Sequence, residues 1–491
     1  MIFKASISKI IGINLRQQNY YYAKFFLAIL FSICGTYFNF KVFEPGLFSQ
    51  DSIYQLSQAF SNEYGDWHPP LMAYLWHLFL SVTLPISSML FSQICLLWFA
   101  LFLYRKNQKF SIRSNLIYLL PFLPWIYNFT GVIWKDVLLA YSLLNIAIYL
   151  SILFSRKKIN YGNFVVVFLL FFVTYNLRGN AIFAIIPFIF LFSFIYLKKF
   201  NLFKISLLSI VIILGTLVFS NLFNYSYLKA QKTHPESMIY TDDLLYFSLI
   251  ANESLIPGAN LESLVVCAKT RLAEMTYSVK GMCLDLYTES EVDKSDLTSV
   301  WLQTVSQNPM KYVSFRIGVF SEIIRNSQLP PIYIQQIPEI IDNPNDLVFE
   351  KNKYYVTMQN VISWTSTNYP NLFKPYLWLS INLSFLTALS VYILKNRRNT
   401  RDLIPTFVIA LSALMYAMAY LVIGSGPDFR YFYWSVVAIN FTFLDLLISK
   451  FRFSSFIKIL KYGLLALLFI LLINFVVNNY KVTSDTFELY T

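Results

Sequence analysis

Apolar residues in this chain come in long unbroken runs. Runs centred on residues 25–38, 165–175, 181–196, 205–223, 403–423 and 464–477 each occupy a window of about 20 residues apolar enough to cross a bilayer. They recur down the chain with basic residues between them, which one large soluble core does not explain. The pattern predicts an all-α integral membrane protein with about 11 transmembrane helices. The spans fall near residues 22–42, 87–104, 116–130, 137–154, 164–176, 181–197, 205–223, 375–394, 403–423, 432–448 and 462–477. A polar, aromatic loop, 43–67, follows the first. The stretch 68–84 is short and opens with two prolines, so it reads as an interfacial or re-entrant helix rather than a span.

One segment breaks the pattern. Residues 224–371 are hydrophilic, with Val300, Leu302 and Val305 at helical spacing and with Asn308 and Pro309 placed to cap and restart a helix. They predict a mainly helical extracytoplasmic domain. The chain then divides into an N-terminal transmembrane module, 1–223, that carries the outer loop 43–84; the extracytoplasmic domain, 224–371; and a C-terminal transmembrane module, 372–491. No internal repeat interrupts this order.

Charge orients the spans. The 491 residues are 57% hydrophobic and 13% charged, against about 25% charged in a soluble domain. The net charge of +13 points to membrane lipids rather than to nucleic acid, because the basic residues follow a membrane pattern. Lys4, Lys9, Arg16 and Lys24 precede the first span, and Arg105, Lys106, Lys109 and Arg113 follow the second. Similar clusters hold Arg156–158, Lys198, Lys199 and Lys204, Lys395 to Arg401, and Lys450 to Lys461. With the N-terminus cytoplasmic, every cluster lies inside, while the short outer connections keep Lys41, Lys135, Arg178, Arg430 and Lys481. The first apolar run is too long for a cleaved signal and reads as a retained span. Cys34 and Cys95 lie in apolar runs. Cys267 and Cys283 lie in the outer segment, where a disulfide would contribute roughly 3 kcal/mol; two free thiols are the alternative.

Ionisable groups at membrane depth are costly and usually have a partner or a task. Asp51 lies just past the first span, with Tyr54 nearby, and Asp66 and His68 end the same loop. A carboxylate here suits a general base, a cation ligand or a helix N-cap. Lys135 and Asp136 form an interfacial ion pair or a phosphate site. Arg178, with Asn180, stands alone at an outer span end, either snorkelling or holding phosphate. Arg430, between Asp428 and Tyr431, clamps a phosphate or pairs across its own turn. The three histidines, His68, His77 and His234, have no metal-ligand spacing. A divalent cation on oxygen ligands stays open as a cofactor.

Four elements in order resemble the C-type glycosyltransferase superfamily of polytopic enzymes: Asp51 after the first span; His68-Pro69-Pro70-Leu71; Trp134-Lys135-Asp136; and Asp428-Phe429-Arg430-Tyr431. The likeness covers mainly residues 22–197 and 403–447. Trp301, Pro309, Tyr312 and Arg316 also resemble a pattern in bacterial members. The resemblance implies a bacterial inner-membrane enzyme with a periplasmic active site. Its donor would be a polyprenyl-phosphate-linked sugar and its acceptor a surface glycan, lipid or protein. Asp51 would be the catalytic base and Asp66 a second acid, since Ser52 stands where an Asp-Glu pair is common. Lys135, Arg178 and Arg430 would neutralise the leaving phosphate. The rivals are a polymerase or ligase moving lipid-linked oligosaccharide and a non-enzymatic transporter or flippase.

Overall fold

The computed structural model describes residues 2–266, 294–325 and 349–448, apart from short breaks, and a few positions outside these ranges. The pair Cys267 and Cys283 and most of the predicted span 462–477 lie outside the described residues.

Among the described residues the chain is helical, with no strand beyond two isolated bridges. Seven of the described helices are long and apolar enough to cross a membrane: Tyr22–Phe43, Ser88–Asn107, Lys135–Arg156, Leu202–Tyr227, Pro375–Lys395, Arg401–Ile423 and Phe429–Ile448. The chain is therefore a multi-pass membrane protein. Two further apolar helices, Tyr161–Leu177 and Ala181–Leu197, have 17 residues each, near the lower limit for a span.

The elements are α1 (Ile2–Phe43), α2 (Gln50–Ser61), α3 (Leu71–Ser81), α4 (Ser88–Asn107), α5 (Pro124–Thr130), α6 (Lys135–Arg156), α7 (Tyr161–Leu177), α8 (Ala181–Leu197) and α9 (Leu202–Asn221). The hydrophilic segment supplies α10 (Ser237–Ala251), α11 (Lys294–Gln307), α12 (Pro309–Ile323) and α13 (Lys353–Asn368). Then come α14 (Pro375–Lys395), α15 (Ile404–Ile423) and α16 (Tyr433–Ile448). α6 is the most enclosed span, packed by α4, α7, α8 and α16, while α15 lies on α8. Tyr22–Phe43 and Leu202–Tyr227 are mostly uncovered, as helices facing lipid would be.

Three local expectations meet the structure differently. The stretch 116–130 is not one helix. A 3-10 segment, Ile112–Phe122, ends at an extended Leu123, and α5 then starts at Pro124. The Pro121 and Pro124 rings account for the break, because proline removes an N–H donor and biases its predecessor away from helix. The stretch 68–84 holds an 11-residue helix, α3, about 16 Å long at 1.5 Å per residue and too short to cross. It packs on α2 and α4. Asn308 does precede Pro309 at the start of α12, but it makes no capping bond; its amide donates to the Thr304 carbonyl (3.2 Å).

Contacts separate the two ends of the bundle. At one end Lys106 lies over the Phe25 ring, Arg156 donates to Asn107, and Arg401 lies over Phe154. Basic clusters from distant parts of the sequence thus share an end. At the other end the start of α2, the start of α6, the end of α7 and the turn before α16 converge, and their ion pairs join them.

Candidate active site

The loop after α1 is stitched to the turn before α6. The Leu47 N–H donates to the Gly131 carbonyl (2.9 Å), and the Ile133 N–H donates to the Leu47 carbonyl (3.1 Å). This approach needs glycine: a Cβ on Gly131 would fall 2.1 Å from the Phe43 ring. From α4, buried Gln93 donates to the Thr130 and Val132 carbonyls (3.1 and 2.9 Å), which fixes the same turn. The Ser52 hydroxyl donates to the Ile133 carbonyl (2.8 Å), and Trp134 Nε1–H donates to Ser49 Oγ (2.6 Å).

Ser49 is also the N-cap of α2, in a reciprocal capping box with Ser52. The cap role weighed for Asp51 is therefore taken by its neighbour, and the Asp51 carboxylate turns elsewhere. Its Oδ2 accepts from Arg430 Nη1 (2.6 Å), and its Oδ1 lies 3.6 Å from His68 Nε2. Burial raises an acid of this kind, yet Arg430, His68 and Lys135 outweigh burial and hold Asp51 well below the usual carboxylate range. His68 is buried between Asp51 and Lys135. Desolvation and the Lys135 charge push it down to about 4, so the imidazole is neutral at pH 7. Its Nδ1 contacts Lys135 Nζ, which leaves the other nitrogen to carry the proton facing Asp51. Tyr54 packs edge-on against this imidazole, ring centroids 5.8 Å apart.

Arg430 serves two carboxylates. Its Nε lies 2.6 Å from Asp428 Oδ2, and Asp428 Oδ1 accepts the Arg430 N–H (2.9 Å) and caps the turn. The pairing across the turn and the reach to a distant group thus occur together. The guanidinium also lies 4.5 Å from the Trp134 ring centroid. At the first residue of α16, the Tyr433 hydroxyl donates to the Ile126 carbonyl (3.0 Å), which anchors the helix behind Arg430.

Lys135 and Asp136 do not pair with each other. Asp136, buried, pairs with Arg178. Arg178 does not snorkel alone: its guanidinium lies 4.7 Å from the Tyr431 ring centroid and 5.7 Å from that of Tyr420, and those two rings stack at 5.2 Å. Lys135, by contrast, meets a neutral imidazole rather than a carboxylate. The Arg430 cation is shared by two acids, and the Arg178 cation is matched by one. Three cations thus face three carboxylates, and Lys135 is the cation of the cluster that has no direct carboxylate contact.

A cavity of about 610 Å³ opens beside these groups. Lys135, Arg178, Asn180 and Tyr431 form one part of its wall, and Asp66, Trp67, Tyr225 and Glu236 form another. Asp66 is fully engaged. Its Oδ2 accepts from the Tyr225 hydroxyl (2.8 Å), and its Oδ1 accepts from the Thr233 N–H and hydroxyl (2.6 and 2.8 Å). It ties the loop after α1 to the start of the hydrophilic segment.

All eleven site residues chosen from the sequence fall in or beside this region. Tyr420, Tyr225 and Thr233 were missed. Tyr420 lies one helical turn from Tyr416 at the end of a span, and that aromatic pair is its signal in the sequence; Tyr225 and Thr233 carry no local signal. Among the described residues no group of three or more His, Cys, Asp or Glu is placed to hold a metal ion. Scans against protein-family models, curated proteins and solved structures find no match for this chain.

Proposed function

We propose that this chain is a membrane glycosyltransferase of the C-type kind, which transfers a sugar from a polyprenyl-phosphate carrier to a glycan, lipid or protein acceptor. The observation that carries the reading is the ionised Asp51 carboxylate, held by Arg430 and His68 behind a cavity of about 610 Å³ whose wall includes Lys135 and Arg178. In the reaction an acceptor O–H attacks the anomeric carbon, the bond from that carbon to the phosphate oxygen breaks, and the proton leaves the acceptor. Asp51 receives this proton. A carboxylate with a depressed pKa is a weak base, which suits a step whose sugar carbon is already electron-poor when the acceptor arrives. Lys135 meets the charge that grows on the departing phosphate, with Arg178 beside it. Tyr431 and Trp67 offer ring faces to the sugar. Asp66, already bound by three donors, holds the wall in place rather than moving a proton.

In this reading about eleven segments span the membrane, the basic clusters at the far end of the bundle face the cytoplasm with the N-terminus, and the site faces the periplasm of a bacterial inner membrane. The hydrophilic segment 224–371 forms the outer domain and selects the acceptor. A cavity of this size fits one sugar and a phosphate better than a whole oligosaccharide, which favours transfer of single sugars over a polymerase or ligase. Transporters place their polar groups near the midplane, whereas these lie at helix ends.

The test uses membranes containing the full chain and a mixed set of polyprenyl-phosphate-linked hexoses and pentoses, tritiated in the sugar. Asp51→Asn should abolish movement of label to non-carrier material at normal protein levels. Undiminished transfer by this variant rules out Asp51 as the base. Label arriving in multiples of one sugar per acceptor would favour the polymerase.

A further inference from the structure

A second buried ion pair lies outside the site, in the hydrophilic segment. Asp243 on α10 is fully buried. Its Oδ2 accepts from Trp301 Nε1–H of α11 (2.7 Å), and its Oδ1 lies 2.7 Å from Arg316 Nη2 of α12. The remaining terminal nitrogen, Arg316 Nη1, donates to the Gly424 carbonyl (2.9 Å). One guanidinium therefore joins the hydrophilic segment to the end of α15.

Gly424 stands four residues before Asp428 and six before Arg430. The contact around it is tight. A Cβ there would lie 2.4 Å from Ile323 Cδ1 of α12 and 2.4 Å from the Tyr420 carbonyl oxygen. α12 is itself fixed to the bundle, because the Ile324 carbonyl accepts from the Tyr376 N–H at the start of α14 (2.9 Å). Tyr246 stacks on Phe315 (4.1 Å), which presses α10 against the face of α12 that carries Arg316. Burying a charge pair is costly, and a shape-matched apolar pair would hold α10 to α12 without that cost. What an apolar pair lacks is a donor for the Gly424 carbonyl. Arginine supplies it because its planar fork offers separate nitrogens to a carboxylate and a carbonyl at once.

We propose that Arg316 is a positioning residue: braced on Asp243, it grips the Gly424 carbonyl, six residues before Arg430, and so keeps Arg430 where it meets Asp51. The inference rests on the reading of Asp51 as the base. It gives Asp243, Trp301 and Arg316 a task in the reaction although none of them lines the cavity.

The experiment compares Arg316→Lys with the wild-type full chain in lipid nanodiscs. Lysine can still neutralise Asp243 but cannot reach both partners with a fork. Hydrogen exchange is followed in the peptide spanning residues 420–432, together with transfer from the same tritiated donor set. Arg316→Lys should raise exchange severalfold in that peptide while α6 and α16 stay protected. It should also lower kcat by about 10- to 100-fold, the scale of a small misplacement of reacting groups, with the donor KM unchanged. In an Asp51→Asn background it should cause no further loss, because both changes act through one contact. Unchanged exchange in the peptide, or wild-type kcat in Arg316→Lys, overturns the proposal. If exchange in α6 and α16 rises equally, the role is a general structural one and the proposal also fails. Wild-type transfer by Asp51→Asn alone is a different result: it removes the reading of the base, while the exchange data still decide whether Arg316 holds the turn.

Discussion

The molecule uses the same three residue types twice, with opposite results. At the site Asp51 meets Arg430, whose guanidinium lies over the Trp134 ring. In the hydrophilic segment Asp243 meets Arg316 and takes a hydrogen bond from the Trp301 indole. Asp51 keeps a side-chain exposure of 27%, whereas Asp243 has none. Asp51 is held well below the carboxylate range, while burial pushes Asp243 up to about 6 against the pull of Arg316 and Trp301. The difference lies in the company. Asp51 feels Arg430, His68 and Lys135 around one carboxylate. Asp243 has one cation, no solvent and a neighbouring acid, Asp242. The first arrangement keeps a carboxylate charged and reachable. The second gives both Asp243 oxygens and both terminal Arg316 nitrogens a protein partner, which suits a brace better than a reagent.

Substitution should separate the two most sharply. Asp51→Asn should cut transfer by about 10²- to 10⁴-fold, the range for removing a general base, with little change in thermal unfolding. Asp243→Leu should act first on the fold. It leaves Arg316 buried without its partner, so unfolding should become easier by about 3–5 kcal/mol, read from the thermal midpoint in one detergent. Equal effects of the two on stability would erase the distinction.

A smaller effect should come from Lys135→Met. It removes a charge-assisted contact worth about 1.5–3 kcal/mol, so undecaprenyl phosphate should bind the full chain roughly 10- to 100-fold more weakly, and the loss should shrink at high salt. Asp243→Asn should leave this affinity unchanged.

The smallest and most diagnostic effect is on pH. His68 is held near 4 in the folded chain, below its ordinary value of about 6.5. Between those values only the unfolded chain takes the proton, so this group lowers stability as pH falls from 7 towards 4. Asp243 works the other way. Its folded value near 6 exceeds the ordinary value of about 3.9, so between them the folded chain holds a proton that the unfolded chain has released, and stability falls as pH rises through that window. The two oppose each other. Asp243→Asn should therefore lose stability more steeply than wild type on acidification from pH 7 to 4, as measured by the unfolding midpoint at each pH. An unchanged slope would mean that the two regions do not differ in protonation as described.

Residue order alone sets the membrane class, because uninterrupted apolar runs leave the chain no other solvent. It determined which basic clusters share an end, because charge is excluded from the bilayer core. It also marked the short stretch 68–84, whose prolines and length already argue against a span. The Pro121 and Pro124 break was equally written in the chain, yet its apolar residues hid it: hydropathy counts side chains and ignores missing N–H donors.

The pairings came from packing. Lys135 and Asp136 are neighbours in the chain, but successive residues on a helix point in different directions, so one finds His68 and the other Arg178. The capping of α2 by Ser49 freed Asp51 for Arg430, 379 positions away. Asp243, Trp301, Arg316 and Gly424 come from four separate elements, and nothing local in any of them specifies the others. An ion pair depends on distances of a few ångströms between distant parts of the chain, and packing alone sets those distances.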